Sequence, residues 1–229
     1  MLSDVTSPAD SLLALRQLVA EHGIRVVVSD LDGVLRVFDA SLWEELDAMT
    51  GTAEGASFRA ILGHPYLDEV VRGRGTHARW RELAAEQLAR EGSDPDVARA
   101  AVDRWAATPA EVDQRVRAML LELRAAGTAV FVLTNGTDRV PEELAALGLE
   151  DVVGEDGRYL LSTADLGAAK PEPEVYGLAR ERICRVLGEE VPPERIAFLD
   201  DSRRHVEAAA ACGWHAVLHP VPGAGRAGS

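Results

Sequence analysis

Short apolar runs and longer amphipathic stretches alternate along most of this chain. Five runs rich in Val, Ile, Leu or Phe are typical of strands that are buried on both faces of a sheet. These predicted strands span residues 24–29, 129–133, 159–162, 196–199 and 214–218. Apolar residues at helical spacing predict the helices that accompany them. Those helices span residues 8–22, 109–126, 141–147, 172–187 and 203–212. The alternation predicts an α/β protein with a parallel sheet.

A long helical stretch interrupts this alternation after the first predicted strand. Parallel strands need a connection of only about a dozen residues. Here residues 36–128 separate the first predicted strand and its polar loop from the second predicted strand. Within it the pattern predicts helices, separated by glycine-containing turns, over residues 42–49, 53–62, 76–90 and 95–107. We therefore expect a helical domain at residues 37–108, inserted into a core that is formed by residues 1–36 and 109–229.

Charge and composition exclude several classes of function. The net charge of −14 disfavours binding to nucleic acid and repels anions at long range. The sequence has no run of 18 apolar residues and no basic segment before an apolar one at its start, so we expect neither a membrane span nor a signal peptide. Cys184 and Cys212 do not form a metal-like pair, which is typical of a reduced cytoplasmic protein. A small-molecule partner is expected, and the oligomeric state stays open.

Lysine is nearly absent from the chain. Of the 24 cationic residues, 23 are arginines, and Lys170 is the only lysine. An ammonium is a compact point charge that a planar guanidinium does not replace. Lys170 is therefore a candidate for a specific electrostatic role.

Polar clusters follow the predicted strands or begin a helix beside them. They comprise Asp30 with Asp32, Thr134 with Asn135, Lys170, and Asp200 with Asp201. Each cluster alone is equally compatible with a turn or a helix cap. In a doubly wound sheet, however, the carboxyl ends of the strands share one edge, so the clusters are expected to converge. Together they supply a carboxylate nucleophile, a second acid and base, oxygen ligands for Mg²⁺, and donors for phosphoryl oxygens.

The four clusters resemble, in order and setting, the four motifs of the haloacid dehalogenase (HAD) superfamily. The matching segments are Asp30-Leu31-Asp32-Gly33-Val34-Leu35, Leu133-Thr134-Asn135-Gly136, Lys170-Pro171-Glu172-Pro173-Glu174-Val175-Tyr176 and Phe198-Leu199-Asp200-Asp201-Ser202. The resemblance extends from Val26 to Val217. It implies a Rossmann-like three-layer core with a parallel sheet and an inserted α-helical cap of the C1 type. It also implies a Mg²⁺-dependent hydrolase.

The resemblance assigns a role to each cluster. Asp30 would attack phosphorus and form an aspartyl-phosphate, and Asp32 would protonate the leaving group and then activate water. Both would also ligate Mg²⁺, Asp32 through its backbone carbonyl. Thr134, the amide of Asn135 and Lys170 would hold the phosphoryl group. Asp201 is the preferred direct metal ligand, with Asp200 binding directly or through water.

Asp32 separates the branches of the family. A phosphate ester needs an acid for its leaving group, whereas the dehalogenase branch expels halide and does not usually keep this aspartate. The sequence thus favours a phosphatase that acts on a small phosphorylated metabolite. The alternatives are a 2-haloacid dehalogenase-type hydrolase, a phosphomutase, and a HAD-fold binding or regulatory protein without turnover.

A few residues depart from the family pattern or suggest other chemistry. Ser29 precedes the nucleophile where an aromatic or apolar residue is frequent. His205 either hydrogen-bonds the acidic loop or begins the helix as an exposed residue, and the second interpretation is favoured. Arg36 either reaches substrate or faces solvent. Ser202 is expected to cap a helix, and the G-x-G-x-x-G match at residues 223–228 has no helix after it, so it does not indicate a dinucleotide site.

Overall fold

A computed structural model describes residues 7–220 of the chain. The glycine-rich residues 223–228 lie outside that range. The strands are β1 (Val26–Ser29), β2 (Arg36–Val37), β3 (Glu111–Val112), β4 (Ala129–Thr134), β5 (Leu160–Ser162), β6 (Ile196–Asp200) and β7 (His215–Leu218). The helices are α1 (Pro8–His22), α2 (Ser41–Thr50), α3 (Ala56–Ile61), α4 (Tyr66–Val71), α5 (His77–Arg90), α6 (Pro95–Ala107), α7 (Gln114–Ala125), α8 (Val140–Ala146), α9 (Glu150–Val153), α10 (Thr163–Leu166), α11 (Pro173–Leu187) and α12 (Arg203–Ala211).

Strand β1 is the centre of a five-stranded parallel sheet with the order β5-β4-β1-β6-β7. Its side chains alternate between two faces, as a pleated strand requires. Val27 packs with the apolar faces of α1 and α7 on one side. Val26 and Val28 pack with α11 and α12 on the other side. The predicted α/β fold with a three-layer, Rossmann-like core is thus confirmed.

The sheet register brings the predicted motifs to one edge. Ser29 at the end of β1 lies opposite Val132 in β4 and Leu199 in β6. The backbone N–H of Asp30 still donates to the carbonyl of Leu199, at 2.8 Å. The acidic loop therefore leaves the sheet between the ends of β4 and β6, where the second and fourth motifs also emerge.

Helices α2 to α6 form a hydrophobic cluster of their own. Its buried residues include Leu46, Ile61, Trp80 and Leu88. The chain enters and leaves this helical segment through β2 and β3, which pair antiparallel with Arg36 opposite Val112. None of the helices within residues 7–220 is long and apolar enough to cross a membrane.

Hydrogen bonds near the sheet edge connect the helical segment to the rest of the protein. The guanidinium of Arg72 binds both carboxylate oxygens of Glu172, each at 2.6 Å. The backbone N–H of His77 donates to the carboxylate of Asp138 at 2.8 Å. The helical segment is thus held against the loops that follow β4 and precede α11.

The structure corrects three local predictions. The helix predicted from residue 109 begins at Gln114, because Glu111–Val112 pairs with β2 and Asp113 accepts the first helical N–H groups. Residues 66–71 form a helix that the turn signals around them concealed. Helix α11 begins at Pro173, one residue later than predicted, and Pro173 takes the first helical position. The Lys170–Pro171 peptide bond is cis.

Candidate active site

The carboxylate of Asp30 is buried at the carboxyl end of β1. Its Oδ1 accepts the backbone N–H of Leu31 at 2.7 Å and lies 2.8 Å from Nζ of Lys170. Among the described residues, both contacts go to Oδ1, which leaves Oδ2 as the oxygen that is available for reaction. The Ser29 hydroxyl, fully buried, donates to the carbonyl of Asp30 at 2.7 Å. Ser29 thus fits this position through a hydrogen bond to the backbone of Asp30.

Lys170 contacts the other three predicted motifs. Its Nζ lies 2.8 Å from Asp30 Oδ1, 2.8 Å from Asp200 Oδ2 and 3.1 Å from the carbonyl oxygen of Leu133. The three acceptors match the three N–H donors of an ammonium group. The side chain is only 1% exposed. One buried cation therefore balances part of the charge of two buried carboxylates.

Asn135 fixes the backbone of Lys170. Its Oδ1 accepts the N–H of Lys170 at 2.9 Å, and its Nδ2 donates to the carbonyl of Lys170 at 3.0 Å. This reciprocal pair joins the loop after β4 to the loop before α11. Sequence reasoning assigned Asn135 only a backbone role and missed the function of its side chain. Thr134, the last residue of β4, is 1% exposed and lies beside this contact.

The electrostatics of the cluster follow from burial and charge. Burial raises the pKa of Asp30 well above its usual range, against the opposing charge of Lys170. Burial also disfavours the anion of Asp200, but Lys170 and the hydrogen bond from His205 outweigh it and hold the pKa of Asp200 below its usual value. Burial would lower the pKa of Lys170, yet the two carboxylates outweigh that effect and raise it. Lys170 is therefore a cation, and Asp30 depends on nearby positive charge to stay ionised.

His205 belongs to the cluster. Its Nδ1 lies 3.0 Å and 3.1 Å from the two carboxylate oxygens of Asp200, and its imidazole is 20% exposed. The preference for an exposed His205 at the helix start was therefore wrong. The N–H of Ser202 also binds Asp200, at 2.8 Å. Ser202 takes the N-cap position of α12 as expected, but its hydroxyl makes no capping hydrogen bond.

Asp201 lies against the acidic loop at Gly33. A Cβ atom on Gly33 would lie 2.2 Å from Oδ2 of Asp201, and Gly33 has a φ of +81°, which favours glycine. Glycine at this position thus lets the two motifs approach closely. Burial, together with the charge of Asp200, raises the pKa of Asp201 to about 6. A nearby cation would therefore stabilise the ionised form of this carboxylate.

Arg36 binds the carboxylate of Asp32, a contact that neither of the two predicted alternatives for Arg36 included. Arg36 Nε donates to Asp32 Oδ1 at 2.6 Å, and Nη2 donates to Asp32 Oδ2 at 3.0 Å. Arg36 Nη1 donates to Glu143 Oε2 at 2.6 Å. Because Arg36 is only 8% exposed, it does not face solvent. Burial would lower its pKa, but the two carboxylates outweigh that effect and raise it.

The donor set fits a hard divalent cation. Within residues 7–220, Asp30, Asp200 and His205 present ligand atoms within 4.8 Å of one another. Carboxylate oxygens are the ligands that Mg²⁺ prefers. Asp201 adds a further carboxylate beside this group, and the excess of negative charge is what a divalent cation would offset.

Comparison with known proteins gives the family. The model of the haloacid dehalogenase-like hydrolase family matches residues 24–213. No curated protein matches the chain significantly. One similar solved structure is a HAD family enzyme from Bacteroides thetaiotaomicron in complex with magnesium and inorganic phosphate. It has 21% identity and a TM-score of 0.61, and the match covers 89% of this chain and 98% of that one.

Two further solved structures have the same fold. A predicted HAD-like family hydrolase from Porphyromonas gingivalis has 21% identity and a TM-score of 0.61, with 88% of this chain and 93% of that chain covered. L-2-haloacid dehalogenase from Xanthobacter autotrophicus has 23% identity and a TM-score of 0.58, with 85% and 77% covered. At these identities the likeness shows the fold alone. Since the family model matches from before β1 to beyond α12, the chain belongs to the haloacid dehalogenase-like hydrolases.

Proposed function

We propose that the protein is a Mg²⁺-dependent phosphatase that hydrolyses a small phosphorylated metabolite through an aspartyl-phosphate. The observation that carries this proposal is the ammonium of Lys170, which lies 2.8 Å from both Asp30 and Asp200. It places positive charge beside a buried carboxylate that has one oxygen uncommitted within the described residues. The retention of Asp32 two residues later favours a phosphate ester over a halide.

Asp30 supplies the nucleophile in the first step. Oδ2 of Asp30 forms a bond to phosphorus while the bond from phosphorus to the leaving oxygen breaks. Lys170 offsets the charge that builds up on the transferring group. The hydroxyl of Thr134 and the backbone N–H of Asn135 would hold phosphoryl oxygens at the end of β4.

Asp32 moves protons in both steps. It gives its proton to the leaving oxygen as the ester bond breaks. In the second step it accepts a proton from water, whose oxygen bonds to phosphorus. The bond from phosphorus to Asp30 breaks, which releases inorganic phosphate and restores the carboxylate. The two steps together leave Asp32 in its starting protonation state.

The metal would be held by the acidic groups around the loop. Carboxylates of Asp30, Asp200 and Asp201 and the backbone carbonyl of Asp32 are its proposed ligands. Bound Mg²⁺ would supply the positive charge that lets an anionic phosphate approach this site. The enzyme from Bacteroides thetaiotaomicron that shares the fold has magnesium and inorganic phosphate in its structure, which supports this choice of cofactor.

The helical segment is proposed to be the cap. Residues 37–108 would form a domain that closes over the sheet edge and shapes the pocket for the leaving group, while residues 1–36 and 109–229 form the core. The contacts of Arg72 with Glu172 and of His77 with Asp138, near the carboxyl ends of the strands, support this proposal. A cytoplasmic location agrees with a metabolite substrate and with two free cysteines.

Hydrolysis of an aryl phosphate by wild-type and D30N protein tests the proposal. D30N is expected to lose activity by about a thousandfold or more, since it removes the nucleophile. Chelation should abolish turnover, and added Mg²⁺ should restore it. D156N changes an exposed aspartate that pairs with Arg158, and it serves as the matched control.

Three outcomes would decide against the proposed function or its mechanism. Activity of D30N within about tenfold of wild type would refute the role of Asp30 as the nucleophile. Metal-independent release of halide from 2-haloacids, without phosphate release, would indicate the dehalogenase alternative. A ligand that raises the melting temperature while no ester in a screen of sugar phosphates, nucleotides and phosphoglycolate is hydrolysed would indicate a binding protein.

A further inference from the structure

Arg36 lies where three parts of the protein meet. It follows the acidic loop in sequence, and its backbone N–H donates to the carbonyl of Leu31 at 2.7 Å. It is also the first residue of β2, through which the chain enters the helical segment. Its guanidinium reaches Glu143 in α8, the helix that follows β4. One side chain therefore joins the acidic loop, the connection to the helices and the β4 side of the core.

The guanidinium fixes the orientation of Asp32. The Asp32 side chain is 43% exposed, so without a partner it would sample several rotamers. Nε and Nη2 form a fork that binds both carboxylate oxygens and defines the plane of the carboxylate. Each carboxylate oxygen retains a second lone pair for a proton. The fork thus orients Asp32 without consuming the sites that proton transfer needs.

Glu143 holds the fork in place. The Arg36 side chain is only 10% exposed and has a carboxylate on both sides. The bond from Nη1 to Glu143 prevents the guanidinium from turning away from Asp32. The ring of Phe38 lies 5.3 Å from the guanidinium carbon and covers it further. Arg36 is consequently ordered before any substrate binds.

We propose that Arg36 is a positioning residue that aligns Asp32 for proton transfer, an inference that rests on the phosphatase function proposed above. It acts through Asp32, whose two carboxylate oxygens its guanidinium binds. General acid and base catalysis contributes about 10²–10⁴-fold and depends on the position of the group. Loss of this alignment therefore slows the hydrolysis of those substrates whose leaving group needs a proton.

Leaving-group dependence separates positioning from a structural role. The kcat/KM for phenyl phosphate depends on a general acid far more than the kcat/KM for 2,4-dinitrophenyl phosphate, because dinitrophenolate leaves without a proton. R36M keeps an apolar stem but removes the fork. We expect it to lose about 10- to 100-fold with phenyl phosphate and less than about threefold with the dinitrophenyl ester. R36K should recover only part of the loss, since an ammonium cannot form the fork.

A double-mutant cycle with D32N tests whether Arg36 acts through Asp32. In the D32N background, R36M should change kcat/KM by less than about twofold, because the group that it aligns is absent. R117A removes a partly buried arginine that pairs with Asp151 away from Asp32, and it should leave the ratio of the two esters unchanged. The melting temperature of each variant confirms folding, and R36K carries the test if R36M does not fold.

The outcomes separate this inference from the function on which it rests. An equal loss on both esters, or the same loss in the D32N background as in wild type, would overturn the positioning role while leaving the phosphatase intact. Failure of the wild-type protein to hydrolyse either ester would overturn the proposed function and the inference with it. A loss confined to phenyl phosphate that vanishes in D32N supports the inference.

Discussion

Replacement of Lys170 by Met tests the electrostatic basis of the site without any substrate. The variant keeps the length of the side chain but leaves Asp30 and Asp200 buried without their shared cation, which lies 2.8 Å from each. Loss of one partner from a buried ion pair costs about 3–5 kcal/mol. We therefore expect K170M to lose about that much free energy of unfolding at pH 7 in metal-free buffer. This is a large part of the stability of a typical domain.

The loss should depend on pH in a defined direction. In wild type the depressed pKa of Asp200 contributes stability that is present above the unfolded value of about 3.9 and disappears as the pH falls through the folded pKa. In K170M the burial that raises the pKa of Asp30 is no longer opposed by the ammonium, so a proton can replace the lost cation. The difference in stability between K170M and wild type should therefore shrink as the pH falls from 8 to 5.

Urea unfolding at several pH values measures this difference. R158M removes an exposed arginine that pairs with Asp156, and it should leave the free energy of unfolding close to that of wild type. A K170M variant within about 1 kcal/mol of wild type at pH 7 would refute the charge balance described above. A deficit that grows as the pH falls would refute it as well.

Two other residues make separate predictions. Because burial raises the folded pKa of Asp201 to about 6, this group should lower metal-free stability as the pH rises from about 4 to 6. A rise of about two pKa units corresponds to about 3 kcal/mol, so D201N should remove a loss of about that size at pH 8, which thermal or urea unfolding would measure. D201N should also reduce the stabilisation by Mg²⁺, and an unchanged stabilisation by Mg²⁺ would contradict the prediction. H205A should lower the free energy of unfolding by about 1–2 kcal/mol, because the contact with Asp200 is lost. H205N should recover part of that loss, and equal losses in the two variants would disprove this explanation.

The regular elements of the fold were predictable because each has a local pattern. The helices Pro8–His22 and Pro95–Ala107 begin and end at the predicted residues. Proline and an N-cap residue mark both starts, and apolar spacing marks their buried faces. Helix α7 begins later than predicted because the pairing of Glu111–Val112 with β2 depends on residues far away in the chain. Local propensity does not contain that information.

The same distinction applies to the candidate site. The convergence of Asp30, Lys170 and Asp200 follows from strand order, since parallel strands deliver their ends to one edge. The pairing of Arg36 with Glu143 joins residues 107 positions apart. No spacing rule connects them, so the sequence alone did not decide whether Arg36 reaches substrate or faces solvent.

His205 was misjudged for a related physical reason. Its position in the first turn of α12 is one at which a histidine is commonly exposed. Only the fully buried Asp200, whose carboxylate needs further donors, turns the imidazole inward. The sequence did show an unusual residue at this position, and that departure was the signal for its contact.

Locating the phosphoryl group during turnover tests directly whether Asp30 is the nucleophile. Wild-type protein is mixed with an aryl phosphate and Mg²⁺, quenched rapidly in acid and analysed by peptide mass spectrometry. We expect a phosphoryl adduct on Asp30 that forms before phosphate accumulates and is absent from D30N. Release of phosphate with no adduct, or an adduct on a residue other than Asp30, would contradict it.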